Sequence, residues 1–184
     1  VYENTEEEKA AQVRMLERLW DAGFTVAAHL LGKCWRDGVG VLPDDKQAEL
    51  WFRRAAQAGH DISQYVLGKL LQSQKRMEEA VSWYEKAAAQ GNPWAAYRLG
   101  KLYLEGKDVP KDTAKALEHL NASAREDNQY AQYTLGKLYL TGEDVAQDRE
   151  QAYRWFWESA SQGNEYAQFF LDHFHDNHSP NVLL

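Results

Sequence analysis

One cysteine, Cys34, is all that the 184 residues contain, so neither an internal disulfide nor a thiolate metal cage is open to this chain. A lone thiol fits a reducing compartment, and a cytoplasmic location is the expectation that follows. Long apolar runs are absent too. Lys, Gln, Gly or Glu interrupts each hydrophobic stretch within a few residues, far short of the roughly 18 to 20 that a bilayer-spanning helix needs, and no membrane span is expected. An excess of positive charge is also missing, since 21 Lys and Arg face 28 Asp and Glu for a formal charge of −7. A surface that tracks nucleic acid over its whole extent is thereby disfavoured, while a local basic strip is not. Residue 1 is Val and methionine stands only at positions 15 and 77, which reads as a segment of a longer chain. With 44% hydrophobic and 27% charged residues, the composition is that of a folded domain rather than a disordered or fibrous one.

What the sequence holds is a period. Leu-Gly-Lys occurs four times, beginning at Leu31, Leu67, Leu99 and Leu135. Gly38, Gly106 and Gly142 follow in step, then Val41, Val109 and Val145, then Asp44, Asp112 and Asp148. The second unit lacks this loop and runs from Gln72-Ser73-Gln74-Lys75 straight into Met77-Glu78-Glu79-Ala80. After each loop come Ala48, Ala80, Ala116 and Ala152, then Trp51, Trp83, His119 and Trp155, then Ala56, Ala88, Ala124 and Ala160. Spacings of three, four and eight describe a helix face. Each unit closes at Gly59, Gly91, Asp127 or Gly163, where a helix C-terminus favours a left-handed backbone.

Every unit therefore predicts two helices, A with Leu-Gly-Lys and B with the Ala/Trp pattern, the loop Asp capping the exposed amides of B. The organisation expected is one repeat domain over 1–184: a capping helix over 6–26, repeats over 27–60, 61–92, 93–128 and 129–164, and a closing helix with tail over 165–184. Count each A helix from its small residue, Ala27, Ser63, Ala95, Ala131 or Ala167, at 100° per residue. Offsets 0, +4, +7 and +8 then form the core side. Glycine at +5 costs about 1 kcal/mol against alanine within a helix, so four copies predict close approach of a neighbouring helix, with the small alanines of B completing the contact. A single pair of this size buries too little alone, and the product is an all-α stack of repeats.

The pattern Ala-x-x-x-Leu-Gly-x-Leu-Tyr-x-x-Gly-x-x-Val-x-x-Asp-x-x-x-Ala, at 95–116 and 131–152, resembles the SEL-one-like repeat, a relative of the tetratricopeptide repeat. The resemblance spans about 27–174. It implies a right-handed α-solenoid of antiparallel helix pairs and the role of an adaptor or scaffold that binds other proteins. Some cysteine-rich secreted relatives have been linked to β-lactam hydrolysis, but they staple each repeat with a disulfide, which Cys34 alone cannot form. Gln132-Tyr133-Thr134-Leu135-Gly136-Lys137 and Ala167-Gln168-Phe169-Phe170 also look like the C-terminal tails of bacterial mobilisation relaxases, which implies an accessory domain of a DNA-mobilisation protein as the alternative role.

Opposite the core side, offsets −1, +2, +6 and +9 share one face, and in tetratricopeptide arrays the matching side lines the concave groove. Offset −1 holds Val26, Ile62, Trp94, Tyr130 and Tyr166; offset +2 holds His29, Tyr65, Tyr97, Tyr133 and Phe169; offset +6 holds Lys33, Lys69, Lys101 and Lys137. The expected partner-binding residues are His29, Lys33, Tyr65, Lys69, Trp94, Tyr97, Lys101, Tyr130, Tyr133, Lys137 and Phe169. Tyr and Trp bring large contact area with few torsions to freeze, and lysines attract carboxylates or phosphates. A protein or peptide, preferably acidic, is the expected partner, with single-stranded nucleic acid second. For any one of these residues the competing reading is packing, with Tyr set against the next A helix and Lys solvated.

Nothing in the chain composes an active site. There is no phosphate-cradling glycine loop, no His-Glu-x-x-His and no Gly-x-Ser-x-Gly. Cys34 sits at +7, where other units carry leucine or phenylalanine, and reads as a small hydrophobe. His173, His175 and His178, with Asp172 and Asp176, are spaced so that three imidazoles do not share a helix face, and no metal site is expected there. The expectation is a protein without catalytic activity or cofactor.

Overall fold

The computed structural model describes residues 5–173. Among them lie ten helices: α1 (Glu6–Asp21), α2 (Thr25–Asp37), α3 (Asp45–Gln57), α4 (Asp61–Ser73), α5 (Met77–Ala89), α6 (Pro93–Glu105), α7 (Thr113–Arg125), α8 (Gln129–Thr141), α9 (Arg149–Ser161) and α10 (Glu165–Asp172). No described residue is in a strand. The even-numbered helices are the A type and the odd-numbered ones the B type. The chain forms two compact units, Val1–Gln90 and Gly91–Leu184. In the first, α1 to α5 pack each on the next, and in the second α6 to α10 do the same.

The caps explain where each helix starts and stops. Backbone N–H groups of Lys46 and Gln47 donate to the Asp44 carboxylate at 2.8 and 3.0 Å, that of Lys115 to Asp112 at 3.0 Å, and that of Gln151 to Asp148 at 2.9 Å. The same aspartates close the inter-helix loop through their own N–H groups, which donate to the carbonyls of Trp35, Tyr103 and Tyr139. The A helices take Asn92, Asn128 and Asn164 as N-caps, because a short amide oxygen reaches the orphan amides of the first turn. After α7, Asp127 adopts φ 56° where glycines serve after α1, α3, α5 and α9.

The A-helix glycine is where prediction and structure part. Its neighbour is a large side chain from the following B helix rather than a small alanine. A Cβ on Gly32 would lie 2.6 Å from Phe52, on Gly68 2.6 Å from Tyr84, on Gly100 2.6 Å from Leu120 and on Gly136 2.8 Å from Phe156. Each of these four side chains is buried at or near completeness. The missing methyl is thus a notch, and the residue after the B-helix Trp51, Trp83, His119 or Trp155 fills it. Of the alanines expected there, Ala56 and Ala124 are buried and Ala88 and Ala160 half-buried.

Two polar devices went unforeseen because they sit at offset +1, beside the expected core side. Gln64 and Gln132 are buried. The Nε2 of each donates to the carbonyl of Ala56 or Ala124 at 3.1 Å, and the Oε1 of each accepts from Gln90 or Gln162 at 2.7 Å. Each glutamine pair so joins the ends of successive B helices through the A helix between them, and the buried amides of Gln64 and Gln132 find their own partners in doing so. The second unit of the repeat, lacking its loop, is held by charge instead: Glu49 and Arg53 of α3 pair with Arg76 and Glu79 at the α4–α5 turn. Burial works against the Glu49 carboxylate, yet hydrogen bonds from Arg53, Gln74 and Arg76 hold its pKa at about 2.

The notch yields a direct test. Gly136→Ala gains about 1 kcal/mol of helix propensity but overpacks against a fully buried ring, a change that costs about 1 to 3 kcal/mol. A net loss of stability is expected, seen as a lower urea midpoint at unchanged slope.

Candidate partner-binding face

In the second unit the A helices present the expected ladder of rings. Trp94, Tyr130 and Tyr166, at offset −1 of α6, α8 and α10, are 44%, 43% and 73% exposed, and Phe169 at +2 of α10 is 50% exposed. Tyr97 and Tyr133, at +2 of α6 and α8, are half-buried. The rings meet in a repeated way: Tyr97 lies 6.2 Å from Tyr130 at an interplanar angle of 37°, and one repeat further Tyr133 lies 6.2 Å from Tyr166 at 46°. Trp94 joins the first pair at 5.7 Å from Tyr130. Each rung is therefore the +2 ring of one A helix leaning on the −1 ring of the next.

Tyr133 is held from below. Its ring lies 5.9 Å from Phe156 and 6.0 Å from Phe170, the two rings of which stack at 4.7 Å. Burial, then proximity to Tyr166, pushes its phenol pKa up. Tyr133 is thus in part a packing residue, and the rings at −1 above it are the exposed ones. Of the lysines, Lys101 is half-buried and bridged to Glu105 at 3.0 Å. Lys137 is also half-buried and forms no ion pair among the described residues.

The first unit differs at the same offsets. Val26 and Ile62 replace the exposed rings at −1. Lys33 and Lys69 are exposed, and the Lys69 ammonium stands 5.7 Å over the Tyr65 ring, which itself leans on Tyr84 at 6.1 Å. His29 turns inward. Its Nδ1 is 2.8 Å from Ser63 Oγ, its ring is 4.9 Å from His60, and His60 Nδ1 is 2.9 Å from the same hydroxyl. His60 also N-caps α4, accepting from the Ser63 backbone N–H at 3.2 Å. The arrangement that satisfies all three groups has His29 Nδ1–H donating to Ser63 Oγ and Ser63 O–H donating to His60 Nδ1.

Burial chiefly, with the neighbouring His60, Lys33 and Arg36 adding to it and Asp61 opposing, lowers the His29 pKa to about 4 from an ordinary 6.5. Neutral His29 is what the fold accommodates. Between pH 6.5 and 4 the unfolded chain binds more protons at this residue than the folded one, so its contribution is complete above 6.5 and is lost as pH falls through about 4. After allowance for solvent screening at a half-exposed ring, the loss is about 1 to 2 kcal/mol. His29→Gln is expected to flatten the acid limb of stability over that window, as read by thermal melts at half-unit pH steps.

Among the described residues no three His, Cys, Asp or Glu side chains gather where they could hold a metal, and no helix is long and apolar enough to cross a membrane. His175, His178 and Asp176, together with Phe174 of the expected closing helix, lie outside the described residues. Cys34 is partly buried against Leu31 and its neighbours, and burial raises its thiol pKa, as suits a packing role. Trp157, off the repeating face, is exposed.

Comparison with known proteins gives a consistent picture. A family model described as the Sel1 repeat matches residues 25–60, 62–92, 95–128 and 129–164. No curated protein matches significantly. Among solved structures, c5321 of uropathogenic Escherichia coli, described as a protective antigen displaying an SLR fold, is 30% identical with a TM-score of 0.82; the match covers 89% of this chain and 36% of that one. A Sel1 repeat protein of Oxalobacter formigenes is 28% identical with a TM-score of 0.83, over 95% of this chain and 73% of that one. The immunity protein Pa5087 of Pseudomonas aeruginosa is 25% identical with a TM-score of 0.59, over 90% and 63%. The chain thus spans about a third of the length of the E. coli protein.

Proposed function

Because this chain belongs to the Sel1 repeat family, whose members are in general protein-interaction scaffolds without catalytic activity, we propose that it binds a peptide or protein partner on its A-helix face. The observation that carries this reading is the exposed ladder of Trp94, Tyr130 and Tyr166. Large rings left in water by helices that bury Leu99 and Leu135 are the composition of an interface core. Tyr97 and Tyr133 stand beneath as supports, Phe169 extends the ladder, and Lys137 supplies attraction for acidic groups. Within the first unit Lys33, Lys69 and Tyr65 offer cations and a ring of their own, while His29, engaged with Ser63, serves packing.

Single-stranded nucleic acid, in an accessory role to DNA mobilisation, is the second reading, favoured by rings beside lysines. It is weaker because Lys101 is already compensated by Glu105 and the chain carries −7. If about four lysines met phosphates, affinity would fall with a log–log salt slope near −3. A partner anchored on aromatics loses far less over the same range.

Peptides selected from a display library on the intact chain provide the test. Trp94→Ala with Tyr130→Ala is expected to weaken the selected binders by about tenfold or more with helicity unchanged by circular dichroism, since both side chains are exposed. Trp157→Ala, on a B helix, is expected to leave them unaffected. Equal binding by the double variant removes the A-helix face from the account.

A further inference from the structure

Counted back from its closing glycine, Gly23, α1 aligns with the other B helices. Leu16 falls at the position of the notch fillers Phe52, Tyr84, Leu120 and Phe156, and Met15 at that of Trp51 and Trp83. Among the described residues no A helix precedes α1, and burial follows suit. The four fillers are buried while Leu16 is half-buried, and Met15 is 62% exposed where Trp51 and Trp83 are 8%.

An open groove between α1 and α2 marks the uncovered face. From α1 it is lined by Gln12, Met15, Leu16 and Leu19, the counterparts of Ala48, Trp51, Phe52 and Ala55. In α3 three of these pack on the preceding A helix: Phe52 against Gly32, and Trp51 and Ala55 in one cluster with Ala28 and Leu31. From α2 the groove is lined by Leu30 and Cys34, at offsets +3 and +7. In α8 the +7 residue, Leu138, is buried in a cluster that takes in Leu104 of the A helix before it. Both walls are thus surfaces that an A helix covers elsewhere in the chain. They are also held in place, since α1 is fixed by buried Val13, by Trp20 at 6.2 Å from Trp51, and by its Lys9 carbonyl close against Gly40.

The four copies of the interface say what fits. Helices α2, α4, α6 and α8 each present their glycine to their own B helix, and α10 carries Asp172 at that offset. A carboxylate is a costly seat for the Leu16 side chain, which disfavours a second copy of this chain as the occupant. Nor does α1 start as an A-to-B junction does: Val-x-x-Asp leads into α3, α7 and α9, whereas Thr5 caps α1 in a reciprocal box with Glu8. We propose that the groove docks a helix of a partner protein carrying a small residue, leucine four residues on, and glycine directly after it. The glycine receives Leu16 as Gly32 receives Phe52, and the leucine lies with Met15 and Leu19 as Leu31 lies with Trp51 and Ala55. The mode is helix-in-groove, on walls already in place, and it uses none of the rings at offset −1.

A labelled peptide copying residues 128–141 supplies the notch in trans, its Tyr130→Lys and Thr134→Asp side chains joined by a lactam to hold it helical. Titrated into the intact chain by fluorescence polarisation, it is expected to bind. Its Gly136→Leu form is expected to bind at least about tenfold more weakly, although leucine favours a helix more than glycine does. On the protein, Met15→Glu is expected to weaken binding by at least about tenfold with helicity unchanged, since Met15 is exposed. Trp94→Ala with Tyr130→Ala is expected to leave it unchanged. Equal affinity for the two peptides, or indifference to Met15→Glu, overturns the assignment. So does absence of binding up to about 1 mM peptide. Loss of binding in the Trp94 and Tyr130 variant moves the peptide to the A-helix face and overturns it too. A dimer of the chain alone, seen by sedimentation and abolished by Met15→Glu, makes a second copy the occupant and overturns the partner assignment.

Discussion

The structure depends on one contact, the insertion of a bulky B-helix side chain into the notch left by an A-helix glycine. Gly32 receives Phe52, Gly68 receives Tyr84, Gly100 receives Leu120 and Gly136 receives Phe156. A glycine inside a helix is a standing cost of about 1 kcal/mol, so its presence at four equivalent positions means that burying a ring or isobutyl group against bare backbone returns more. A side chain of that size is worth about 1.5 to 3 kcal/mol on burial. The contact also sets how closely A and B approach and how A is rotated. That rotation decides which A-helix offsets face water.

The rest of the face follows from that rotation. With offsets 0 and +4 sealed against the B helices, offset −1 turns outward and +2 lies half under it. The +2 residue is thereby placed beneath the −1 residue of the next A helix, so a single rung is built from two repeats. The rung geometry recurs at Tyr97–Tyr130 and Tyr133–Tyr166 for the same reason the notch recurs.

The helices, their order, the loop aspartates and the core offsets were legible because each is written in one stretch of chain: a period, a cap, a glycine. The filling of the notch was not, because a helical wheel describes one helix alone and does not say which residue of its neighbour arrives. A signal was present all the same. A bulky residue follows Trp51, Trp83, His119 and Trp155 in every unit, a regularity as strict as that of the glycine it meets. The buried glutamines Gln64 and Gln132 were missed for a related reason: residues at the edge of an apolar stripe read as polar surface until an acceptor such as the Ala56 carbonyl is placed above them.

His29 shows how the breaks in a repeat inform as much as its regularities. It occupies the +2 position that tyrosine holds in the next three units, and taken singly it reads as a weaker member of the same stripe. Two other departures accompany it: Ser63 stands where the other A helices carry alanine at offset 0, and His60 stands where asparagine caps α6, α8 and α10. These three exceptions touch one another, which makes them a single replacement of an aromatic contact by a hydrogen-bonded one. The notch at Gly32 and Phe52 is unchanged beneath it. Because the notch alone fixes the packing of A on B, the offsets above it are free to differ between units, imidazoles and aliphatics in the first and rings in the second. One fold can thus carry two surfaces of different chemistry, and the aromatic one is confined to the unit in which all three A helices bring a ring to −1.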